Sequence, residues 1–203
     1  MQEMKSARRI QLDDHAWLDC WDSLPAIDDT RLLDELVCAV RWQQPAVTLY
    51  GRRHRLPRLQ CWMGDAGAQY KYSGLQLQPD DWLPCVARIR EAVETLSGHH
   101  FNAVLINLYR NGEDRMGWHS DDEPELGPEP WLASYNLGAS RELLFREKGH
   151  TRQRYSLTLA HNQLLLMNPV VQKRWQHSLP VRRRVTEPRI NLTFRRVSPV
   201  QEA

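Results

Sequence analysis

Short runs rich in apolar residues fill the second half of the chain. After Gly98, seven such runs are separated by polar residues, Gly or Pro: NAVLINLY, WLASYNLG, RELLFRE, RYSLTLA, QLLLMN, RWQHSLP and INLTFRR. Runs of this length between turn residues are typical of β-strands. Seven strands in about a hundred residues predict a β-sandwich or a β-barrel.

A helical period marks the first half of the chain instead. Residues 28–42 begin with cap-forming side chains and place five Leu and Val residues on one side, which predicts an amphipathic helix. A second helix is expected over residues 82–97, with Pro84 in its first turn and Gly98 after its end. Residues 45–79 are rich in Gly, Tyr, Arg and Pro, which predicts hairpins and loops on a surface.

The composition adds limits on the class of protein. With 203 residues, 41% hydrophobic and 26% charged, the chain is large enough for a sizeable core, and we expect neither disorder nor a membrane span. The first residues lack the apolar run of a signal peptide, and the four cysteines form no C-x-x-C pair. We therefore expect one α+β domain over residues 1–203, monomeric, in a reducing cytoplasm and with no membrane partner.

Charge is distributed unevenly along the chain. The net charge is +2, but residues 151–203 hold ten Lys and Arg against two Glu, a local balance of +8 that leaves −6 for residues 1–150. A further basic cluster, GRRHRLPR, occupies residues 51–58 within the acidic part. Such runs are either solvated faces or tracks for phosphate groups.

A candidate metal site lies in the GWHSD segment. His119 and Asp121 are two residues apart, so in extended backbone both side chains project from the same face. His177, in the RWQHSLP run, offers a third ligand. Two histidines and one carboxylate form the facial triad of non-haem Fe(II) oxygenases. Zinc hydrolases also use such sets, and an isolated H-x-D pair also occurs on surfaces by chance.

The segment PRINLTFR indicates an anion site. Its alternation places Arg189, Asn191, Thr193 and Arg195 on one face, opposite three apolar residues. Because a buried unpaired charge is costly, two inward arginines require anions, and a small dicarboxylate offers one for each. The alternative is that both arginines form salt bridges within the fold. On the NAVLINLY run, Asn107 and Tyr109 share a face and add uncharged donors.

Four motifs in order resemble one family over nearly the whole chain from about Pro45. They are PRLQCWMGDAGAQYKYSG, NLYRNGEDRMGWHSDDEPELG, Q-x-x-W-x-H-S-L-P and PRINLTFRR. The chain resembles the AlkB-type Fe(II)/2-oxoglutarate dioxygenases, which oxidatively demethylate N-alkylated nucleobases. The resemblance implies a double-stranded β-helix, or jelly-roll, over residues 101–203, with N-terminal helices and nucleotide-recognition hairpins over residues 1–100 packed against it.

The resemblance also implies the cofactors and the residues that hold them. His119, Asp121 and His177 would bind Fe(II), and Arg189 and Arg195 would hold the carboxylates of 2-oxoglutarate, assisted by Asn107, Tyr109 and Asn191. O₂ is the other cosubstrate, and succinate, CO₂ and formaldehyde are the products. The expected substrates are 1-methyladenine and 3-methylcytosine type lesions in DNA, with RNA as a further class.

Further family positions point to the nucleic acid. The target base would contact Tyr70, Tyr72, Ser73, Asp122 and Glu123. Tyr50 is the expected wedge in the stack, and the expected backbone contacts are Gly51, Arg52, Arg53, Arg182, Arg183 and Arg184. The alternatives for these residues are hairpin packing, a solvated acidic loop and a solvated basic surface. Alternatives for the whole protein are demethylation or hydroxylation of modified RNA or a protein side chain, and a non-catalytic nucleic-acid reader.

Overall fold

Strands dominate the computed structural model, which describes residues 6–49, 52–72, 75–152 and 154–198. The helices are α1 (Leu32–Ala39), α2 (Pro84–Ser97) and α3 (Pro169–Arg174), with a 3-10 turn at Pro124–Leu126. The strands are β1 (Arg8–Gln11), β2 (Trp17–Trp21), β3 (Ala46–Leu49), β4 (Arg52–Arg55), β5 (Leu59–Gly64), β6 (Tyr70–Tyr72), β7 (Leu75–Leu77), β8 (Ala103–Tyr109), β9 (Met116–His119), β10 (Leu132–Gly138), β11 (Arg141–Glu147), β12 (Tyr155–Leu159), β13 (Leu164–Met167), β14 (Trp175–Leu179) and β15 (Arg189–Arg195).

Two antiparallel sheets form the body of the fold. The larger sheet has the order β1-β2-β13-β10-β15-β8-β5 and the smaller one β12-β11-β14-β9. A buried cluster draws Leu132 and Met167 from the larger sheet and Phe145, Trp175 and Leu179 from the smaller one. The two sheets therefore pack face to face, which is the sandwich that the seven short runs predict. Hairpins β3–β4 and β6–β7 complete the described strands.

The helices α1 and α2 cover the other face of the larger sheet. Leu36 of α1 and Ile89 of α2 share one buried cluster with Ile106, Leu192 and Phe194 of the sheet. Each fully buried side chain of this size contributes about 1.5–3 kcal/mol. None of the helices among the described residues has the length and apolar character needed to cross a membrane.

The N-terminal helix is shorter than its sequence pattern predicts. It starts at Leu32 rather than at residue 28, because the Asp28 carboxylate accepts hydrogen bonds from the backbone N–H and the hydroxyl of Thr30 and closes a separate turn. Val37, one of the five Leu and Val residues expected on the apolar side of this helix, is exposed. Helix α2 matches its prediction, and Gly98 ends it in the left-handed conformation with φ 74°.

The interpretation of residues 45–79 as surface hairpins is only partly right. Strand β5 is buried along most of its length and pairs with β8 in the larger sheet. The last arginine of the basic cluster, Arg58, is only 2% exposed. The sequence patterns also missed strands β1, β2 and β9 and helix α3. The first half of the chain thus contributes strands to the main sheet as well as helices.

Candidate active site

His119, Asp121 and His177 converge on the inner face of the smaller sheet. His119 on β9 lies directly opposite His177 on β14, and their ring centroids are 4.2 Å apart. Asp121 follows β9 by two residues, and ligand atoms from all three side chains lie within 4.8 Å of one another. Neighbouring strands and one short loop therefore bring together two imidazoles and a carboxylate that can bind a single ion.

Hydrogen bonds orient His119 and Asp121 as metal ligands, whereas Nδ1 of the buried His177 has no hydrogen-bond partner among the described residues. The carbonyl of Gly117 accepts a hydrogen bond from Nδ1–H of His119 at 2.9 Å, which leaves Nε2 unprotonated. The side-chain carbonyl of Gln172 accepts a hydrogen bond from the backbone N–H of Asp121 at 3.0 Å. Nε2 of His177 lies 3.6 Å from Oδ2 of Asp121. All three ligand atoms thus face the same point.

The charges of the site favour the metal-binding protonation states. Burial, followed by the charge of His119, lowers the pKa of His177 to about 3, so its imidazole is neutral at pH 7. Burial is the largest single effect and opposes ionisation of Asp121, but the Arg195 guanidinium and the two histidines together hold the pKa of this carboxyl below its ordinary value. Two neutral imidazoles and one carboxylate are the donor set that suits Fe(II) in a facial triad.

Both arginines of β15 are buried at the same cavity, but their partners differ. Arg195 donates to Oδ1 of Asp121 at 2.6 Å and to the backbone carbonyl of Thr193 at 3.0 Å. Arg189 donates to the amide oxygen of Asn136, and its guanidinium lies 5.3 Å from the ring centre of Tyr109. The salt-bridge alternative therefore describes Arg195 in part. No carboxylate within the described ranges pairs with Arg189, which leaves it available for an anion.

One cavity contains the metal-binding triad and all five residues expected at the cosubstrate. Its lining includes Asn107, Tyr109, Arg189, Asn191 and Arg195 together with His119, Asp121 and His177. A hydrogen-bond chain supports this wall, because Thr193 donates to Asn191 at 2.9 Å and Asn191 donates to Ser134 at 2.7 Å. The structure thus brings together the candidate metal and carboxylate sites.

Asp122 and Glu123, which the sequence pairs as an acidic wall, have different environments. Asp122 is exposed and accepts a hydrogen bond from Lys148 at 2.6 Å. Glu123 is half-buried, and its Oε2 has no hydrogen-bond partner within the part of the chain that the structure describes. Burial, followed by the negative charge of Asp121, raises the pKa of Glu123. Only Glu123 therefore keeps a carboxylate oxygen for a ligand.

Tyr70 is buried next to Arg195 and is not among the residues that line the cavity. The ring is fully buried and stacks on Trp62 with centroids 4.7 Å apart. The Arg195 guanidinium lies 5.6 Å from the ring centre, and a hydrogen bond from Tyr70 lowers the pKa of Glu123 against the larger effect of burial. Tyr70 thereby connects the acidic residue to the arginine.

The expected nucleic-acid contacts are described only in part. Tyr50, Gly51 and Ser73 lie outside the described residues, and Arg52, Arg53 and Tyr72 are described by their backbone alone, in hairpins β3–β4 and β6–β7. Arg182 is half-buried and donates to Glu142 at 2.5 Å. Arg183 and Arg184 are exposed in the loop between β14 and β15.

Sequence reasoning missed three residues that support the site. Gln172 holds Asp121, Asn136 accepts from Arg189, and Arg58 donates to Asn107. Each pair joins positions 49 or more residues apart. Periodicity carries no signal for such contacts, since only the pairing of strands brings these residues together.

Comparison with known protein families identifies the chain. The model of the 2OG-Fe(II) oxygenase superfamily matches residues 21–195. The chain belongs to this superfamily. The double-stranded β-helix core expected from the resemblance is confirmed with it, and Fe(II), 2-oxoglutarate and O₂ are the cofactor and cosubstrates of this class of oxygenase.

Individual relatives place this oxygenase among the AlkB-type dioxygenases. It is 46% identical over 158 residues to the human DNA oxidative demethylase ALKBH2, covering 74% of this chain and 60% of that protein. The mouse ALKBH2 is 44% identical over 163 residues, covering 77% and 68%. The human alpha-ketoglutarate-dependent dioxygenase alkB homolog 3 is 37% identical over 177 residues, covering 83% and 61%. The chain therefore spans about three fifths of the length of both human relatives.

Solved structures agree with this oxygenase in fold. OsALKBH1 superposes with a TM-score of 0.64 at 16% identity, covering 93% of this chain and 100% of that chain. A 2OG-Fe(II) family oxidoreductase from Burkholderia pseudomallei gives a TM-score of 0.53 at 15% identity, covering 88% and 84%.

Proposed function

We propose that this AlkB-type oxygenase removes N-linked methyl groups from bases of the 1-methyladenine and 3-methylcytosine type in DNA. The observation that carries the proposal is the cavity in which His119, Asp121 and His177 lie beside Arg189, a buried cation without a carboxylate partner among the described residues. The ALKBH2 relatives, named DNA oxidative demethylases, supply the substrate class.

The residues of the cavity divide between metal and cosubstrate. His119, Asp121 and His177 would hold the Fe(II) ion. When bound, Fe(II) with 2-oxoglutarate and O₂ hydroxylates the methyl carbon, and succinate, CO₂ and formaldehyde are released. Arg189 and Arg195 bind the carboxylates of 2-oxoglutarate, while Asn107, Tyr109 and Asn191 add hydrogen bonds.

Glu123 is the proposed contact for the damaged base. Methylation at a ring nitrogen of the Watson–Crick edge makes adenine or cytosine cationic, and the buried Oε2 of Glu123 offers an unpaired acceptor beside the site. Because a base inside a duplex cannot reach the cavity, the nucleotide must be flipped out or taken from a single strand.

A demethylation assay tests the proposed function directly. The protein is incubated with Fe(II), 2-oxoglutarate and oligonucleotides that carry 1-methyladenine or 3-methylcytosine, and methyl loss is followed by mass spectrometry alongside succinate release. We expect both products, and neither with Asp121→Ala. Succinate without methyl loss on single-stranded DNA, duplex DNA or RNA would contradict the substrate assignment, and methyl loss from RNA alone would replace DNA with RNA.

The nucleic-acid surface has its own test. If Tyr50 wedges a duplex, Tyr50→Ala impairs repair of duplex lesions more than repair of single-stranded ones, because only the duplex must be unstacked. If the exposed Arg183 and Arg184 hold phosphates, replacing both with Ala lowers the salt slope of DNA binding by about one for each lost contact. Arg182→Ala is a matched control, because this residue pairs with Glu142. An unchanged slope would assign both arginines to a solvated surface.

A further inference from the structure

Arg58 is a buried cation that the expected basic surface does not explain. It directly precedes β5, with 2% of the residue exposed, whereas the GRRHRLPR cluster predicts a solvated position. Its Nε donates to Oδ1 of Asn107 on the neighbouring strand β8 at 2.7 Å. Asn107 lines the metal and cosubstrate cavity. A single hydrogen bond therefore connects Arg58 to the wall of that cavity.

The hydrogen bond between Arg58 and Asn107 determines how the asparagine amide is oriented. A guanidinium has donors only, so the group facing it must be the carbonyl oxygen of the amide and cannot be its NH₂. The NH₂ of Asn107 is consequently turned away from Arg58. Since Asn107 lines the cavity, this orientation leaves its NH₂ available to a ligand there.

A gain in stability does not explain why Arg58 is buried. One of its nitrogens, NH2, is buried without a hydrogen-bond partner among the described residues. A buried polar nitrogen that lacks a partner costs free energy, and a buried charge costs more. Buried polar groups that keep this cost are typically found at functional sites.

We propose that Arg58 is a positioning residue for 2-oxoglutarate, which it serves by fixing the Asn107 amide with its NH₂ towards the cosubstrate. The inference rests on the proposed function, because it requires 2-oxoglutarate to be the ligand of the cavity. Without Arg58, the amide of Asn107 is free to turn and to present an oxygen, which repels a carboxylate. The two residues then act as one unit, with Asn107 touching the ligand and Arg58 acting only through it.

A double-mutant cycle on cosubstrate binding tests the proposal without turnover. The dissociation constant of 2-oxoglutarate is measured by calorimetry with Mn(II) in place of Fe(II), for the parent, Arg58→Met, Asn107→Ala and the double variant. We expect each single change to raise the dissociation constant at least about tenfold, comparable to one hydrogen bond to a charged group. The double variant should bind no more weakly than the weaker single variant.

Controls separate positioning from damage to the fold. Mn(II) affinity and thermal unfolding should stay close to the parent in Arg58→Met, and Arg41→Met makes the same change on a side chain that is 78% exposed. If Arg58→Met does not fold, Arg58→Lys takes its place. Lysine keeps the charge but has no Nε donor at this position, so it should still weaken 2-oxoglutarate binding.

Two results would overturn the role of Arg58. One is parent-like affinity in the folded Arg58 variant, and the other is a double variant in which the two single effects multiply. If the parent itself binds no 2-oxoglutarate, the proposed function is wrong and the inference falls with it. If the parent binds 2-oxoglutarate and the Arg58 variants bind it equally tightly, the proposed function stands but Arg58 has no positioning role.

Discussion

Replacing Arg189 with methionine should separate cosubstrate binding from stability. Burial lowers the pKa of Arg189 from 12.5 to about 10. At about 1.4 kcal/mol for each pH unit, the charged guanidinium destabilises the ligand-free fold by roughly 3.5 kcal/mol. The hydrogen bond from Arg189 to Asn136 offsets about 1–2 kcal/mol of this destabilisation. Arg189→Met should therefore leave the free energy of unfolding of the ligand-free protein unchanged or raise it by about 1–2 kcal/mol.

The same Arg189→Met change should weaken the binding of 2-oxoglutarate. A carboxylate that loses its buried partner costs roughly 2–5 kcal/mol, so the dissociation constant should rise between about 30-fold and a few thousandfold. Thermal unfolding with Mn(II), with and without 2-oxoglutarate, measures both effects in one assay. The parent should be stabilised by the cosubstrate and the variant should not.

Arg141 provides the matched control for Arg189. It is also buried, but its guanidinium donates to the backbone carbonyls of Asn111, Asp114 and Pro180. Arg141→Met leaves three carbonyls without these donors and should lower the free energy of unfolding by several kcal/mol. If Arg189→Met is destabilised as much as Arg141→Met and still binds 2-oxoglutarate like the parent, Arg189 is a structural residue and the reasoning is refuted.

Three further predictions concern the metal, the base and the turn after β8. His119→Ala should abolish both Fe(II) binding and demethylation while circular dichroism stays native; retained turnover would exclude the triad. Glu123→Gln should lower kcat/KM on 1-methyladenine about tenfold or more and Asp122→Asn should not, because only Glu123 has a buried free oxygen; equal losses would contradict this division. Arg110 outweighs burial and holds the pKa of Asp114 below 3.8, so ionised Asp114 stabilises the fold above about pH 4. The stability advantage of the parent over Asp114→Asn, measured by urea unfolding, should shrink as the pH falls below that value; an advantage independent of pH would point to packing instead.

The strands that sequence reasoning predicted share one property. Residues 102–109 and 190–196 are apolar-rich runs of seven or more positions, and each forms a long strand of the larger sheet. Strand β9 was not predicted, because its four residues lie in the polar segment GEDRMGWHS, where no alternation is visible. Strand β1 is likewise short and mostly exposed. Pairing with a neighbouring strand, rather than local pattern, forms such short strands.

The residues of the candidate site also fall into those that the sequence predicts and those that it does not. His119 and Asp121 are recognisable from their spacing, and Arg189 and Arg195 from their shared face. Arg58 was assigned to a surface because its neighbours in sequence are basic, and only the register of β5 against β8 shows it beside Asn107. Contacts across strands depend on which strands are adjacent, and single-sequence patterns do not contain that order.

The position of β9 at the edge of the smaller sheet has a consequence for handling the protein. This strand pairs with β14 on one side only, and the ladder between them changes register after the His119–His177 pair. A metal ion held by both histidines would act as a cross-link between the two strands. Removing it with a chelator should therefore loosen this edge, speed amide hydrogen exchange in residues 116–119, and expose a free strand to pairing with other molecules. Loss of iron and the onset of aggregation would then be linked in storage.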